Sequence, residues 1–212
     1  QEGHLHVVER LLETALIVAC SAESCDLEIV KFLIASGADV SASDSSGVHA
    51  LYMAAQNGDS DVAALLLDSG ADVTTPGKRR VTALMLACQD GYVEFAQMLI
   101  SRGANVNAMD INGFTALMLA AQDNHLPVVE LLLANGALKD SQDRDGTTAV
   151  FLAAQEGALE VIDALMSANA DLALSDTSGT TPVLVASQEG HLHVVERLLE
   201  TALIVACSAE SC

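Results

Sequence analysis

The chain has no tryptophan, and aromatic residues make up only 3% of its 212 positions. Large rings cannot organise its core, so Ala, Leu, Val and Met must fill it. Basic residues are scarce too: 9 Lys and Arg stand against 29 Asp and Glu, a net charge of −20. Nucleic acid and anionic membrane both need a cationic footprint, so neither is expected as a partner. The acidity reads in two ways, as solubility for a chain of positive mean hydropathy or as steering towards a basic protein partner. No apolar run approaches the roughly 18 residues of a membrane span. The longest, Leu11–Cys20, is interrupted by Glu13. There is no secretory signal and no initiating Met, which points to a fragment, a processed form or an engineered chain. Catalytic signatures are missing as well: no Gly-x-Ser-x-Gly, no phosphate loop, no His-Glu-x-x-His. No enzymatic activity, catalytic residue or cofactor is therefore expected. Five cysteines include no Cys-x-x-Cys, and Cys207 and Cys212 repeat Cys20 and Cys25, leaving Cys88 as the third distinct position. Buried free thiols in a cytoplasmic or otherwise reducing compartment fit that usage. The sequence does not separate this from secretion as an assembly.

What is present is periodicity. The stretch Thr115–Leu133, TALMLAAQDNHLPVVELLL, recurs with changes at His49–Leu67, Thr82–Ile100, Thr148–Met166 and Thr181–Leu199, always at the same spacing. A period of that length marks an array of stacked units, each touching only its neighbours. The whole of 1–212 therefore reads as a single array. Four units of equal length span 44–76, 77–109, 110–142 and 143–175. Incomplete units cover 14–43 and 176–200, and half-units cover 1–13 and 201–212.

Within a unit the local signals agree. Asp-x-x-Gly (Asp44–Gly47, Asp110–Gly113, Asp176–Gly179) is a turn, with Asp capping its own backbone. Thr115 and Thr148 are natural N-caps for a short helix ending in an Ala pair. Gly91 or Gly157 separates it from a second helix, apolar at i, i+3 and i+4, as in Val128, Val129, Leu131 and Leu132. Gly70, Gly103 and Gly136 are expected to close that helix in the left-handed region, with Asn169 taking this place once.

The unit DINGFTALMLAAQDNHLPVVELLLANGALKDSQ resembles an ankyrin repeat, and the likeness covers essentially the whole chain. The resemblance implies an all-α solenoid of helix–turn–helix units with short protruding β-turn or hairpin fingers. It also implies non-enzymatic protein binding through a concave groove and the finger tips. The departures matter. The family's Thr-Pro-Leu-His is Thr-Ala-Leu-Met at Thr82–Met85 and Thr115–Met118, and the bracing His is replaced by Tyr52, Met85, Met118, Phe151 or Leu184. Bracing of the turns is expected to be weaker for it. The turn Gly77-Lys78-Arg79-Arg80 carries Arg where Gly is expected.

Candidate binding residues follow from position. A glutamine recurs at Gln56, Gln89, Gln122, Gln155 and Gln188, each followed by a polar residue: Asn57, Asp90, Asp123, Glu156 and Glu189. The resemblance places these on the concave face. Their constancy reads as amides bonding unit to unit, or as a surface for a partner with the same repeat. The finger tips supply Lys78, Arg79 and Arg80, the one basic cluster, together with Arg144 and the apolar Met109, Ile111 and Phe114. His191 and His193, with their copies His4 and His6, form no metal set, because i and i+2 on a helix face apart.

Residues 188–212 duplicate residues 1–25 without a single change, although the internal repeats have diverged heavily. A window cut from a longer array, an engineered duplication and a recent natural one all remain open. Inside each copy the stretch that elsewhere follows the second helix is almost all absent: 13 positions are lacking at Glu13–Thr14 and again at Glu200–Thr201. Either a hairpin has been omitted there, or one helix runs through Val7–Ala19. The half-units present apolar residues, Val7, Val8, Leu11 and Leu12 in one and Leu203, Ile204 and Val205 in the other. Unlike ends of this kind pair head to tail, so a self-associating filament or tube is the alternative to a binding scaffold.

Overall fold

The computed structural model describes residues 2–22 and 25–209, with side chains described at 7–22, 25–201 and 203. Two compact units divide the chain, residues 1–111 and 112–212.

The first unit is built from helix pairs: α1 (Glu2–Ser21) with α2 (Leu27–Ala35), α3 (Ala50–Gln56) with α4 (Ser60–Asp68), and α5 (Ala83–Gln89) with α6 (Val93–Ser101). Helix α3 lies between α1 and α5, and α2 packs on α4. The second unit repeats the plan with α7 (Ala116–Gln122) and α8 (Leu126–Ala134), α9 (Ala149–Glu156) and α10 (Leu159–Ser167), and α11 (Pro182–Glu189) and α12 (Leu192–Ala209). Here α9 is flanked by α7 and α11, and α10 by α8 and α12. The result is an all-α repeat solenoid.

Most of these helices have only two turns or slightly more, too few to be stable alone in water. Packing holds them. The first helix of each pair buries small residues: Ala54 and Ala55, Ala87 and Cys88, Ala120 and Ala121, Ala153 and Ala154. Small side chains let neighbouring helices approach closely. The second helix supplies the bulk: Val62 and Leu66, Phe95 and Leu99, Val128 and Leu132, Ile162 and Leu165. Each buried Leu or Ile contributes about 1.5–3 kcal/mol relative to exposure.

The ends of the helices are fixed by the residues expected from the sequence. The hydroxyls of Thr82, Thr115 and Thr148 accept from the backbone N–H three positions on, at 3.3, 3.3 and 3.2 Å. In one pair His49 replaces Thr, and its Nδ1 accepts from the Tyr52 N–H at 3.3 Å. Gly136 closes α8 at φ 80°, and Asn169 does the same for α10 at φ 60°.

Three of the five positions that the family gives to a bracing His have become core, and Tyr52 at a fourth is half-buried. Met85, Met118 and Phe151 are buried, whereas Leu184 is exposed. The turns between pairs are closed by Asx bonds rather than by strands. Asp143 Oδ1 accepts from the Asp145 and Thr147 N–H groups at 2.9 and 2.8 Å. Among the described residues the recorded β-type pairing is one isolated bridge, Ser43 with His49. Beyond that bridge, the expected hairpin fingers are not formed as strand pairs among the described residues.

The turn without glycine is strained. Arg79 and Arg80 sit at φ 59° and 64°, a region that costs an L-residue roughly 1–2 kcal/mol. Arg80→Gly is therefore expected to stabilise the first unit by about 1 kcal/mol, less the extra entropy glycine loses on folding. A shift of the urea midpoint to higher concentration checks it.

His49 makes the first unit sensitive to acid. Burial pushes its pKa below the ordinary 6.5, against a smaller opposing effect of the Thr75 backbone. The folded state thus binds this proton less readily than the unfolded chain. Stability from the neutral cap is full above about 6.5 and falls as the pH drops through that value towards the lower folded pKa. His49→Thr keeps a cap and is expected to remove that part of the acid sensitivity. Urea midpoints measured at about pH 7.5 and about pH 5, either side of the ordinary His value, check it.

Candidate partner-binding surface

The polar row occupies the ends of the first helices in each unit. In the second unit Gln122 ends α7, Gln155 lies one residue from the end of α9, and Gln188 one from the end of α11. Asp123, Glu156 and Glu189, which follow them, are all exposed. Since α9 packs on both α7 and α11, three Gln–acid pairs stand on adjacent helices. No ion pair joins any of the three acids to a base among the described residues. Nor does any glutamine of the row donate its amide to the next, so the unit-to-unit ladder expected from their constancy is not formed. Nothing in the structure explains why the residue is always Gln.

In the first unit Gln56 and Gln89 end α3 and α5 and are exposed, as is Asp90. Asn57 has a different task. Its Nδ2 donates to the carbonyls of Cys20 and Ala22, at 3.0 and 3.1 Å, and so caps the C-terminal end of α1. That role spans 37 residues of sequence and leaves no local signal.

Lys78, Arg79 and Arg80 form a short 3-10 turn, all exposed and without an ion pair among the described residues. Other bases are engaged: Arg102 with Asp68 at 2.8 Å, Lys31 with Glu28 at 2.7 Å, Lys139 with Asp140 at 3.1 Å and Arg197 with Asp163 at 2.6 Å. All four pairs are substantially exposed, and such pairs add little stability. Arg80 also borders a groove of about 270 Å³ walled by Val73, Pro76, Ala104, Ala108 and Met109. Met109 and Ile111 are exposed in the first unit. In the second, Arg144 is exposed and Phe114 half-buried.

A wider groove, about 690 Å³, opens in the second unit beside α12, lined by Met166, Ala170, Leu172, Val183, Leu199 and Thr201. Its origin lies in the sequence. Each turn of this unit bonds to the one before it: the Asp171 N–H donates to Asp140 Oδ1, and the Thr177 N–H to the Asp145 carbonyl, both at 2.8 Å. Helix α12 runs straight through Glu200–Thr201, where a turn would otherwise continue the series.

The histidines are accounted for by backbone. Nε2 of His191 donates to the Gln155 carbonyl at 2.9 Å, and that of His193 to the Gly157 carbonyl at 3.4 Å. These bonds tie the 176–200 repeat to the one before it. The side chains of His4 and His6 lie outside the described residues. The thiols of Cys20 and Cys88 are buried, and burial pushes each to a pKa of about 12. Both are therefore neutral and unreactive near pH 7.

The apolar residues expected at the half-units fall on two long helices. Val7, Val8 and Leu11 of α1 are exposed and Leu12 is half-buried, while Leu203 of α12 is exposed. The side chains of Ile204 and Val205 lie outside the described residues.

Paired helices recurring at one constant spacing, bound repeat to repeat through their turns, define an all-α helical-repeat protein. A family model described as ankyrin repeats (3 copies) matches residues 1–77, 75–143 and 135–206, and the chain belongs to the ankyrin-repeat family. Ankyrin repeats are generally protein–protein interaction modules, and the family is typically non-enzymatic. No curated protein matches the chain. Among the described residues no helix is long and apolar enough to cross a membrane.

Proposed function

We propose that the chain is a non-enzymatic recognition module that binds a basic segment of a protein partner along the ends of its first helices. The observation that carries this reading is the row Asp123, Glu156 and Glu189: exposed, without a basic partner among the described residues, and on helices that pack side by side. The half-row Gln56, Gln89 and Asp90 offers similar chemistry in the first unit. Lys78, Arg79 and Arg80 add a contact of opposite sign, and Met109, Ile111, Phe114 and Arg144 add apolar and basic contacts at the turns. An oligolysine peptide is the first probe. The triple variant Asp123→Asn, Glu156→Gln, Glu189→Gln is expected to weaken its binding about tenfold, from three exposed charges at roughly 0.3–0.5 kcal/mol each. An unchanged affinity by fluorescence anisotropy overturns the reading.

A second reading, self-association, is supported by the exposed apolar residues of α1 and α12. In it Val7, Val8 and Leu11 of one copy meet Leu203, with Ile204 and Val205, of the next, head to tail. Salt separates the two. Binding of a basic partner to a chain of charge −20 weakens as salt rises, whereas association of that chain with itself strengthens as its repulsion is screened.

A further inference from the structure

The two copies of the duplicated segment, 1–25 and 188–212, have one sequence, and three of their described pairs have opposite burial. Leu16 is 1% exposed, and its copy Leu203 is 65% exposed. Val7 and Leu11 are 57% and 63% exposed, and their copies Val194 and Leu198 are 0% and 4%. The same helix thus uses its second half in the first unit, against α2 and α3, and its first half in the second unit, against α10 and α11. At these positions each copy leaves bare what the other buries. A helix of this sequence therefore carries seats for two repeat stacks and fills only one of them in either place.

We infer that a second copy of this chain fills the other seat by helix exchange. In one route the α12 of one molecule takes the place of α1 in another. Leu203 then occupies the site of Leu16, and Asn57 of the second molecule caps the incoming helix as it caps α1. In the other route the α1 of one molecule takes the place of α12. Leu11 then occupies the site of Leu198, and Arg10 faces Asp163 as Arg197 does. Both routes end in one shared helix buried along both halves and one displaced segment. Sequence identity makes the lost and gained contacts the same, so release of the displaced segment's ordered backbone offsets the freedom lost on association. This inference rests on the self-association reading, but it differs from face-to-face docking of two bare surfaces in a way that variants expose.

Leu11 and Leu203 are both exposed in the single molecule, so Leu11→Glu and Leu203→Glu leave each seated half intact, and Glu suits a helix. The full chain and its variants are followed by light scattering over a concentration series, with circular dichroism as the check on folding. The wild type is expected to dimerise with rising concentration. Each single variant closes one of two equivalent routes and lowers the association constant about twofold, because half of the ways of forming the complex are removed. The double variant closes both and leaves a monomer. Loss of association in either single variant overturns exchange while leaving face-to-face docking in place. A wild type that stays monomeric, or a double variant that still associates, overturns exchange and docking together.

Discussion

Leu16→Ala is expected to cost about 2–5 kcal/mol of stability, whereas Leu203→Ala changes it by less than about 0.5 kcal/mol. The two leucines sit at equivalent places in identical segments. Local propensity, charge pattern and unfolded-state entropy are therefore matched, and the difference measures tertiary packing alone. Leu16 is buried by α2 and α3, so truncation leaves a cavity; Leu203 projects from α12, so truncation removes only exposed surface. The mirror pair reverses the order: Leu198→Ala is expected to be as costly as Leu16→Ala, and Leu11→Ala as mild as Leu203→Ala. Urea denaturation of the four variants reads the outcome. Equal costs within either pair would mean that the two copies do not keep separate seats.

Gly157→Ala is expected to cost about 2–3 kcal/mol, the sum of a backbone and a side-chain effect. Gly157 is at φ 73° and closes α9, and an L-residue there is disfavoured by roughly 1–2 kcal/mol. A Cβ would also stand 2.6 Å from Nδ1 of His191, so the imidazole must move. Its Nε2 bond to the Gln155 carbonyl is then lost, at a net cost of about 0.5–1.5 kcal/mol. The double variant Gly157→Ala, His191→Ala separates the two contributions, because without the ring only backbone strain remains. A cost for Gly157→Ala that is unchanged in the His191→Ala background would show that the ring does not set it.

These two cases mark where the sequence is legible. The constant repeat period, the Thr caps, the Asx turns and the glycine or Asn169 after the second helices α2 to α10 are local signals, and they are found where the sequence puts them. The candidate surface was less legible, since constancy of residue type does not reveal bonding. Gln56 and its copies keep one identity yet form no ladder. Asn57 occupies a position that holds an acid in the other repeats, yet it caps α1 from 35 and 37 residues away. His191 looks like part of an ordinary Gly-His turn, and its bond to Gln155 lies 36 residues back. Contacts of that separation are set by how one repeat sits on the last, and no window within a single repeat contains both partners. The opposite burial of Leu16 and Leu203 is the limiting case, because no local rule can assign two environments to one sequence.

The straight run of α1 and α12 through the site of a lost turn has a consequence for inheritance. Where the coding stretches match as the two peptide segments do, they invite unequal crossing-over. One such event adds or deletes everything from the start of one copy at Gln1 to the start of the other at Gln188. Because both copies encode the same helix, such an event joins the flanking blocks in frame.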